Sequence, residues 1–174
     1  MPNISITEIK ESEKEQFIIN IQAAFKKAFV DEFGETEGEI IPREDVIKSF
    51  NAEGAVTYNI VHEGKIVGGI VVDINEKTNH NELSLFFVNN DCHSKGIGCA
   101  AWQMIESLYP KTRVWETFTP YFDKRNIHFY VNKCGFHIVE FYNPHHVEKN
   151  HDKVDMSNPV NEYHFRFEKV MVNQ

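Results

Sequence analysis

Residues 82–98, ELSLFFVNNDCHSKGIG, decide how the rest of the chain is read. Glu82 to Val88 is a run of apolar and β-favouring residues, and Asn89, Asn90 and Asp91 end it with turn chemistry. Ser94, Lys95, Gly96, Ile97 and Gly98 then lead into CAAWQMIESLY, where Ile97, Ala101, Met104, Ile105 and Leu108 recur at helical spacing. The order is buried strand, turn, glycine loop, helix start. A helix start presents unpaired N–H groups and the positive end of its dipole, which together suit a phosphate, and Gly96 and Gly98 allow close approach to that backbone. Glycines in such a turn also serve simply to form the turn. Two familiar phosphate loops are excluded, because neither Gly-Lys-Ser/Thr nor Gly-x-Gly-x-x-Gly is present.

At 174 residues, 41% of them apolar, the chain is expected to form one domain, 1–174, with a substantial core. Lys and Arg total 18 against 26 for Asp and Glu, giving a formal charge of −8. That balance argues against a nucleic-acid binder and favours a cationic partner. No apolar run approaches a membrane span, and MPNISITEIKESEKEQF has neither a basic start nor an apolar signal core, so the expected location is cytoplasmic. Cys92, Cys99 and Cys134 are odd in number and form no C-x-x-C pair, which fits reduced thiols.

Around the central stretch, Ile4, Ile6 and Ile9 suggest a first strand. Phe17, Ile21, Phe25 and Phe29 then mark one face of a helix from about Glu11 to Phe33, read as core. Residues 31–39 carry five carboxylates, either a solvated loop or an acidic lip that attracts an amine. Arg43 to Phe50 is a short helix, and Val56–His62 and Lys65–Ile74 form a hairpin around Glu63-Gly64, with Gly68 and Gly69 marking a bulge or close backbone approach. After the central helix come a strand over 112–118, parallel to the one ending at Val88, and a helix from Asp123 to Lys133 ended by Gly135. Strands over 136–142 and 162–170 follow, joined by about twenty polar residues. His145, His146, His151 and His164 lie in or beyond that loop without zinc-motif spacing, so they are read as solvent-exposed and no metal is expected.

The loop His93-Ser94-Lys95-Gly96-Ile97-Gly98, with Val88 five residues before it, resembles the phosphate loop of the GNAT superfamily of N-acetyltransferases, usually Gln or Arg, two residues, Gly, one residue, then Gly or Ala. A second motif of that superfamily, an aromatic-rich helix ending in Lys-x-Gly-Phe, is matched by residues 126–136, NIHFYVNKCGF. The resemblance implies an α/β fold of the α+β type, with a central mixed sheet of about seven strands and about four flanking helices. Its N-terminal part would be antiparallel, and a splayed parallel pair would hold acetyl-CoA. It implies that Phe86, Phe87 and Val88 offer backbone to the pantetheine arm and thioester, and that His93, Ser94, Lys95, Gly96, Ile97 and Gly98 hold the pyrophosphate. Asn126 either contacts the cofactor or caps its helix. His93 departs from the family pattern, since a neutral imidazole donates one hydrogen bond where Arg donates several and carries charge.

Transfer to an amine needs a group to take its proton, because a free alkylamine has a pKa of about 10.4. Glu82 stands where histone acetyltransferases of the superfamily carry a glutamate and is the candidate base, with Glu116 the rival. Tyr130 resembles the tyrosine that many members place beside the sulfur, although four residues separate it from Gly135 where the family has three, so that Val131 takes the usual place. The implied activity is acetyl-CoA-dependent N-acetylation of a cationic small amine, a lysine or an N-terminus, by direct attack in a ternary complex. The alternatives are a non-catalytic acyl-CoA sensor and, more remotely, a histidine-based metal module. A homodimer is compatible with similar proteins.

Overall fold

The computed structural model describes residues 2–93, 95–149 and 162–172. Seven strands form one sheet in the order β1-β2-β3-β4-β5-β7-β6. They are β1 (Ile4–Glu8), β2 (Ala55–His62), β3 (Lys65–Asp73), β4 (His80–Val88), β5 (Val114–Pro120), β6 (His137–Tyr142) and β7 (His164–Val170). The first four pair antiparallel, β4 and β5 pair parallel, and β5, β7 and β6 are again antiparallel. The α-helices are α1 (Lys14–Phe33), α2 (Arg43–Phe50), α3 (Ile97–Leu108) and α4 (Lys124–His128). None is long and apolar enough to cross a membrane among the described residues.

Strand alternation divides the core between two faces. On the face of α3 and α4, Val72, Leu83, Trp102, Ile105, Trp115 and Phe136 pack together, all nearly inaccessible to water. On the face of α1 and α2, the cluster is Phe17, Ile18, Ile21, Val46, Val71 and Phe87. The α1 stripe is therefore core only in its first half. Phe25 and Phe29 match the helical period but are half-buried, Phe25 packing against the rim of that cluster and Phe29 meeting Phe122 edge-on at 5.6 Å. Gly69 is a close approach, since a Cβ there would lie 2.2 Å from the Phe17 ring.

Two local irregularities shape the centre. In β4, Val71 faces Leu85 while Val72 faces Leu83, so Ser84 is an extra residue that bends the strand and strengthens its twist. Beyond α4, residues 129–133 form a π-helical turn, closed by the Cys134 N–H donating to the Phe129 carbonyl at 3.0 Å. The helix expected over 123–133 is thus α-helical only to His128. Gly135, at φ +79°, ends it in the left-handed region as its sequence position predicts.

Candidate active site

Strands β4 and β5 pair at three positions, His80 with Val114, Asn81 with Trp115 and Glu82 with Glu116. Past the Ser84 bulge they separate. The edge of β5 is then met by β7 on its other side alone, and the Thr117 hydroxyl donates to the Leu83 carbonyl at 2.8 Å, closing the base of the gap. Two cavities open from this gap, one of about 620 Å3 and one of about 160 Å3. Phe25, Phe86, Phe122, Asp123 and Asn126 line both, so the cavities share a wall.

The larger cavity takes in the glycine loop. Phe86, Phe87, Val88, His93, Gly96, Ile97, Gly98 and Asn126 all line it. Lys95 is exposed and outside the lining, and Ser94 lies outside the described residues. Gly96 is the N-cap of α3 at φ +73°, where a left-handed backbone favours glycine, and no side chain caps the helix among the described residues. Gly98 matters for a different reason, because a Cβ there would lie 3.1 Å from the Phe129 ring, itself stacked on Phe86 at 5.2 Å. The glycine at position 98 lets α4 and its π turn press against α3.

His93 is turned inward. Its Nε2 lies 2.7 Å from the Val88 carbonyl, and since a carbonyl only accepts, Nε2 carries the proton and donates. Burial lowers the imidazole pKa, and the nearby charges of Arg125 and Lys27 lower it further. The ring is therefore neutral at physiological pH. Asn126 is not the cap of α4. Asp123 is, accepting from the Asn126 N–H at 3.0 Å, which leaves the Asn126 side chain on the cavity wall.

The smaller cavity is lined by Glu82, Ser84, Thr117, Asp123, Tyr130 and His164, among others. Burial, reinforced by the carboxylates of Glu116 and Glu148, pushes the Glu82 carboxyl up to about 7. Glu116 points to the same face but is bound to Arg166, with Nη1 2.9 Å from its Oε2, and Arg166 also holds Glu140 and Glu168. His80, Glu116 and Glu168 bring metal-ligand atom types within 4.8 Å of one another, and the Arg166 guanidinium bridges the two carboxylates of that group as an ion-pair network.

Tyr130 is 3% exposed, whereas Val131, at the position family spacing would choose, is half-buried. A π turn accommodates one residue more than an α turn, so the additional residue between Tyr130 and Gly135 is absorbed and Tyr130 keeps the inward face. Burial raises the phenol pKa well above its ordinary value, with the Thr117 hydroxyl acting weakly in the other direction.

One sequence expectation is corrected here. His164 is not solvent-exposed but 4% accessible, in contact with Tyr142 and Phe118, and its Nε2 lies 3.0 Å from Glu148 Oε2. His145 and His146 are exposed as expected, and His151 lies outside the described residues. Sequence reading also missed Lys27, Lys124, Arg125 and Lys133 on the walls of the larger cavity. The adjacent Lys124-Arg125 at the start of α4 was the one local signal for them.

The acetyltransferase (GNAT) family model matches residues 18–136, which hold the separated strands, the glycine loop and the Tyr130 turn. The chain belongs to the GNAT acetyltransferase family. This GNAT protein is 51% identical over 175 residues to the uncharacterized protein YrkN of Bacillus subtilis (strain 168), covering 98% of this chain and 95% of YrkN. Its structure is similar to the PaiA N-acetyltransferase of Thermoplasma acidophilum in complex with coenzyme A, with a TM-score of 0.65, 14% identity and 97% and 99% of the two chains covered. It is also similar to the spermidine N-acetyltransferase of Vibrio cholerae in complex with CoA and spermine, at a TM-score of 0.65, 8% identity and 96% and 95% coverage. At these identities the structural likeness is one of fold, and it places this seven-stranded sheet with its parted parallel pair among GNAT folds.

Proposed function

We propose that this protein is an acetyl-CoA-dependent N-acetyltransferase that passes an acetyl group directly to a primary amine held as a cation in the smaller cavity. The observation that carries the reading is the position of Glu82, a carboxyl pushed up to about 7 by burial in a cavity that shares a wall with the glycine-loop cleft. A base whose pKa matches the working pH suits proton removal from an incoming ammonium.

The larger cavity fits the nucleotide cosubstrate. The first-turn N–H groups of α3 lack a side-chain cap among the described residues, and the edge of β4 beyond Ser84 lacks a neighbouring strand on the β5 side. In this reading Phe86, Phe87 and Val88 provide backbone to the pantetheine arm, and Lys95 to Gly98 provide backbone to the pyrophosphate, with Ser94 in the same loop. The cosubstrate supplies the acetyl group as a thioester. Glu82 takes the amine proton, directly or through water, while a β4 backbone N–H faces the oxygen on which charge develops. Tyr130, kept protonated by its burial, delivers a proton to the departing sulfur from Oη. Glu116 is the less suitable base because Arg166 holds it as an ion pair.

Release of coenzyme A from acetyl-CoA, measured against pools of polyamines, aminoglycosides, amino acids and lysine peptides, tests the reading. Amine-dependent release by the wild type that Glu82→Gln loses while keeping cofactor affinity supports it. Acetyl-CoA stabilisation without release from any pool favours the non-catalytic sensor. No release and no stabilisation removes acetyl-CoA as the ligand.

A further inference from the structure

The glycine-loop cleft contains a charge arrangement that the loop itself does not explain. The imidazole N–H of His93 is already donated to the Val88 carbonyl, so this side chain has no N–H left to offer a ligand in the cleft. Two cations nevertheless stand close enough to His93 to act on it electrostatically, Lys27 from the middle of α1 and Arg125 from the first turn of α4. Both line the cleft, on elements that approach it from opposite sides of the sheet.

Neither cation is committed to a strong internal partner. Lys27 makes an exposed i,i+4 pair with Asp31 at 2.8 Å, a type of contact that contributes little and exchanges readily. Arg125 makes no ion pair within 4 Å among the described residues, and the nearest acid in sequence, Asp123, is occupied in capping α4. Glu32, the other acid at the α1 end of the cleft, is bound to Lys124 at 2.9 Å. In a chain of formal charge −8, this leaves a cation without a strong internal partner on each side of the cleft.

We infer that Lys27 and Arg125 form a two-sided clamp for the phosphates of the coenzyme A nucleotide, supplying from α1 and α4 the charge that His93, turned to the Val88 carbonyl, does not supply from the loop. The inference rests on the acetyl-CoA reading and adds the residues that recognise its anionic end. Arg125 offers a planar fork of N–H donors suited to phosphate oxygens, and Lys27 acts as a point charge that exchanges Asp31 for a more highly charged partner.

Calorimetric titration of coenzyme A and dephospho-coenzyme A into the wild type, Lys27→Met and Arg125→Met tests the clamp, with thermal unfolding of each ligand-free protein as the folding control. The expected result is wild-type unfolding temperature, affinity for coenzyme A reduced about ten-fold or more in each variant, and a shallower dependence of affinity on salt, since charge-assisted contacts to phosphate are lost. A weaker preference for coenzyme A over dephospho-coenzyme A in a variant would assign that side chain to the additional phosphate. Wild-type affinity in both folded variants would overturn the clamp while leaving the acetyl-CoA reading intact. Failure of the wild type to bind either nucleotide would overturn both.

Discussion

Glu82 and Glu116 face each other in register at the last rung that joins β4 to β5, yet their environments differ. Arg166 pairs with Glu116, its Nη1 2.9 Å from Oε2, while burial and two neighbouring acids push Glu82 up to about 7. Like charges on adjacent strands resist simultaneous ionisation, so Glu116 adds to the effect of burial in favouring the protonated form of Glu82.

This pairing predicts a pH profile. Turnover of the wild type should rise with pH through an inflection near 7 as Glu82 loses its proton. Glu82→Gln should reduce kcat by roughly 10²–10⁴-fold and abolish that inflection, with the dissociation constant for coenzyme A unchanged. Steady-state kinetics from pH 5.5 to 9 would check both, and an unchanged inflection in the variant would remove Glu82 as its source.

The same carboxyl has a stability signature. Its pKa is higher in the folded state than the ordinary carboxyl value of 4.5, so between pH 4.5 and 7 the native protein binds more protons than the unfolded chain. Glu82 therefore destabilises the fold progressively as pH rises through that window. Glu82→Gln should be more stable than the wild type at pH 8, by at most about 3 kcal/mol, with the advantage vanishing below pH 4.5. Denaturant titrations at pH 4.5 and 8 would measure the difference, and an advantage independent of pH would contradict it.

Tyr130→Phe retains the ring that packs against Phe136 and Phe167 and removes only the hydroxyl. Stability should change by no more than about 1 kcal/mol, the usual net contribution of one hydrogen bond. Acetyl transfer should fall about ten-fold or more across pH 5.5–9, since the phenol, its pKa raised by burial, stays protonated throughout that range. Val131→Ala, on the half-buried side of the same turn, should leave transfer close to wild type. Equal activity of Tyr130→Phe and wild type would eliminate the acid role.

Gly96 and Gly98 should respond differently to substitution. Gly96→Asn should be tolerated, costing about 1 kcal/mol or less, because asparagine enters the left-handed region with little strain and the nearest atom to a Cβ there, Pro2 Cδ, is 3.8 Å away. Gly98→Ala adds a methyl group 3.1 Å from the Phe129 ring and should cost roughly 1–3 kcal/mol. Chemical denaturation would order the two, and near-ultraviolet circular dichroism should register the displaced aromatic pair in Gly98→Ala alone.

Much of this arrangement was legible in the chain because it is encoded locally. Strand β4 has its apolar run, α3 its period and Gly135 its left-handed cap, each set by residues within a few positions. The loop spacing pointed to Val88 and Gly96 sharing a cleft, and both line the larger cavity. Features assembled from distant segments were not legible. His164 is buried because Phe118, Tyr142 and Glu148 converge on it from three other parts of the chain, and no local pattern distinguishes it from an exposed histidine. Lys27 and Arg125 line one cleft from α1 and α4 for the same reason. The α1 stripe misled in its second half because periodicity identifies a helix face, not what covers it, and at Phe25 that face borders an opening.

The π turn after α4 also bears on how such a chain tolerates changes in length. One residue added to a regular helix turns everything beyond it by about 100° and would carry a whole face of side chains out of register. Here the addition is confined to a single widened loop of backbone between Phe129 and Cys134, so Ile127 before it and Phe136 after it still pack into the same core. A homologue one residue shorter at this point can therefore present the same phenol to the same cavity. Mutational scans aligned by residue count would instead compare that phenol with an aliphatic side chain, and would record an insertion where the working surface has not moved.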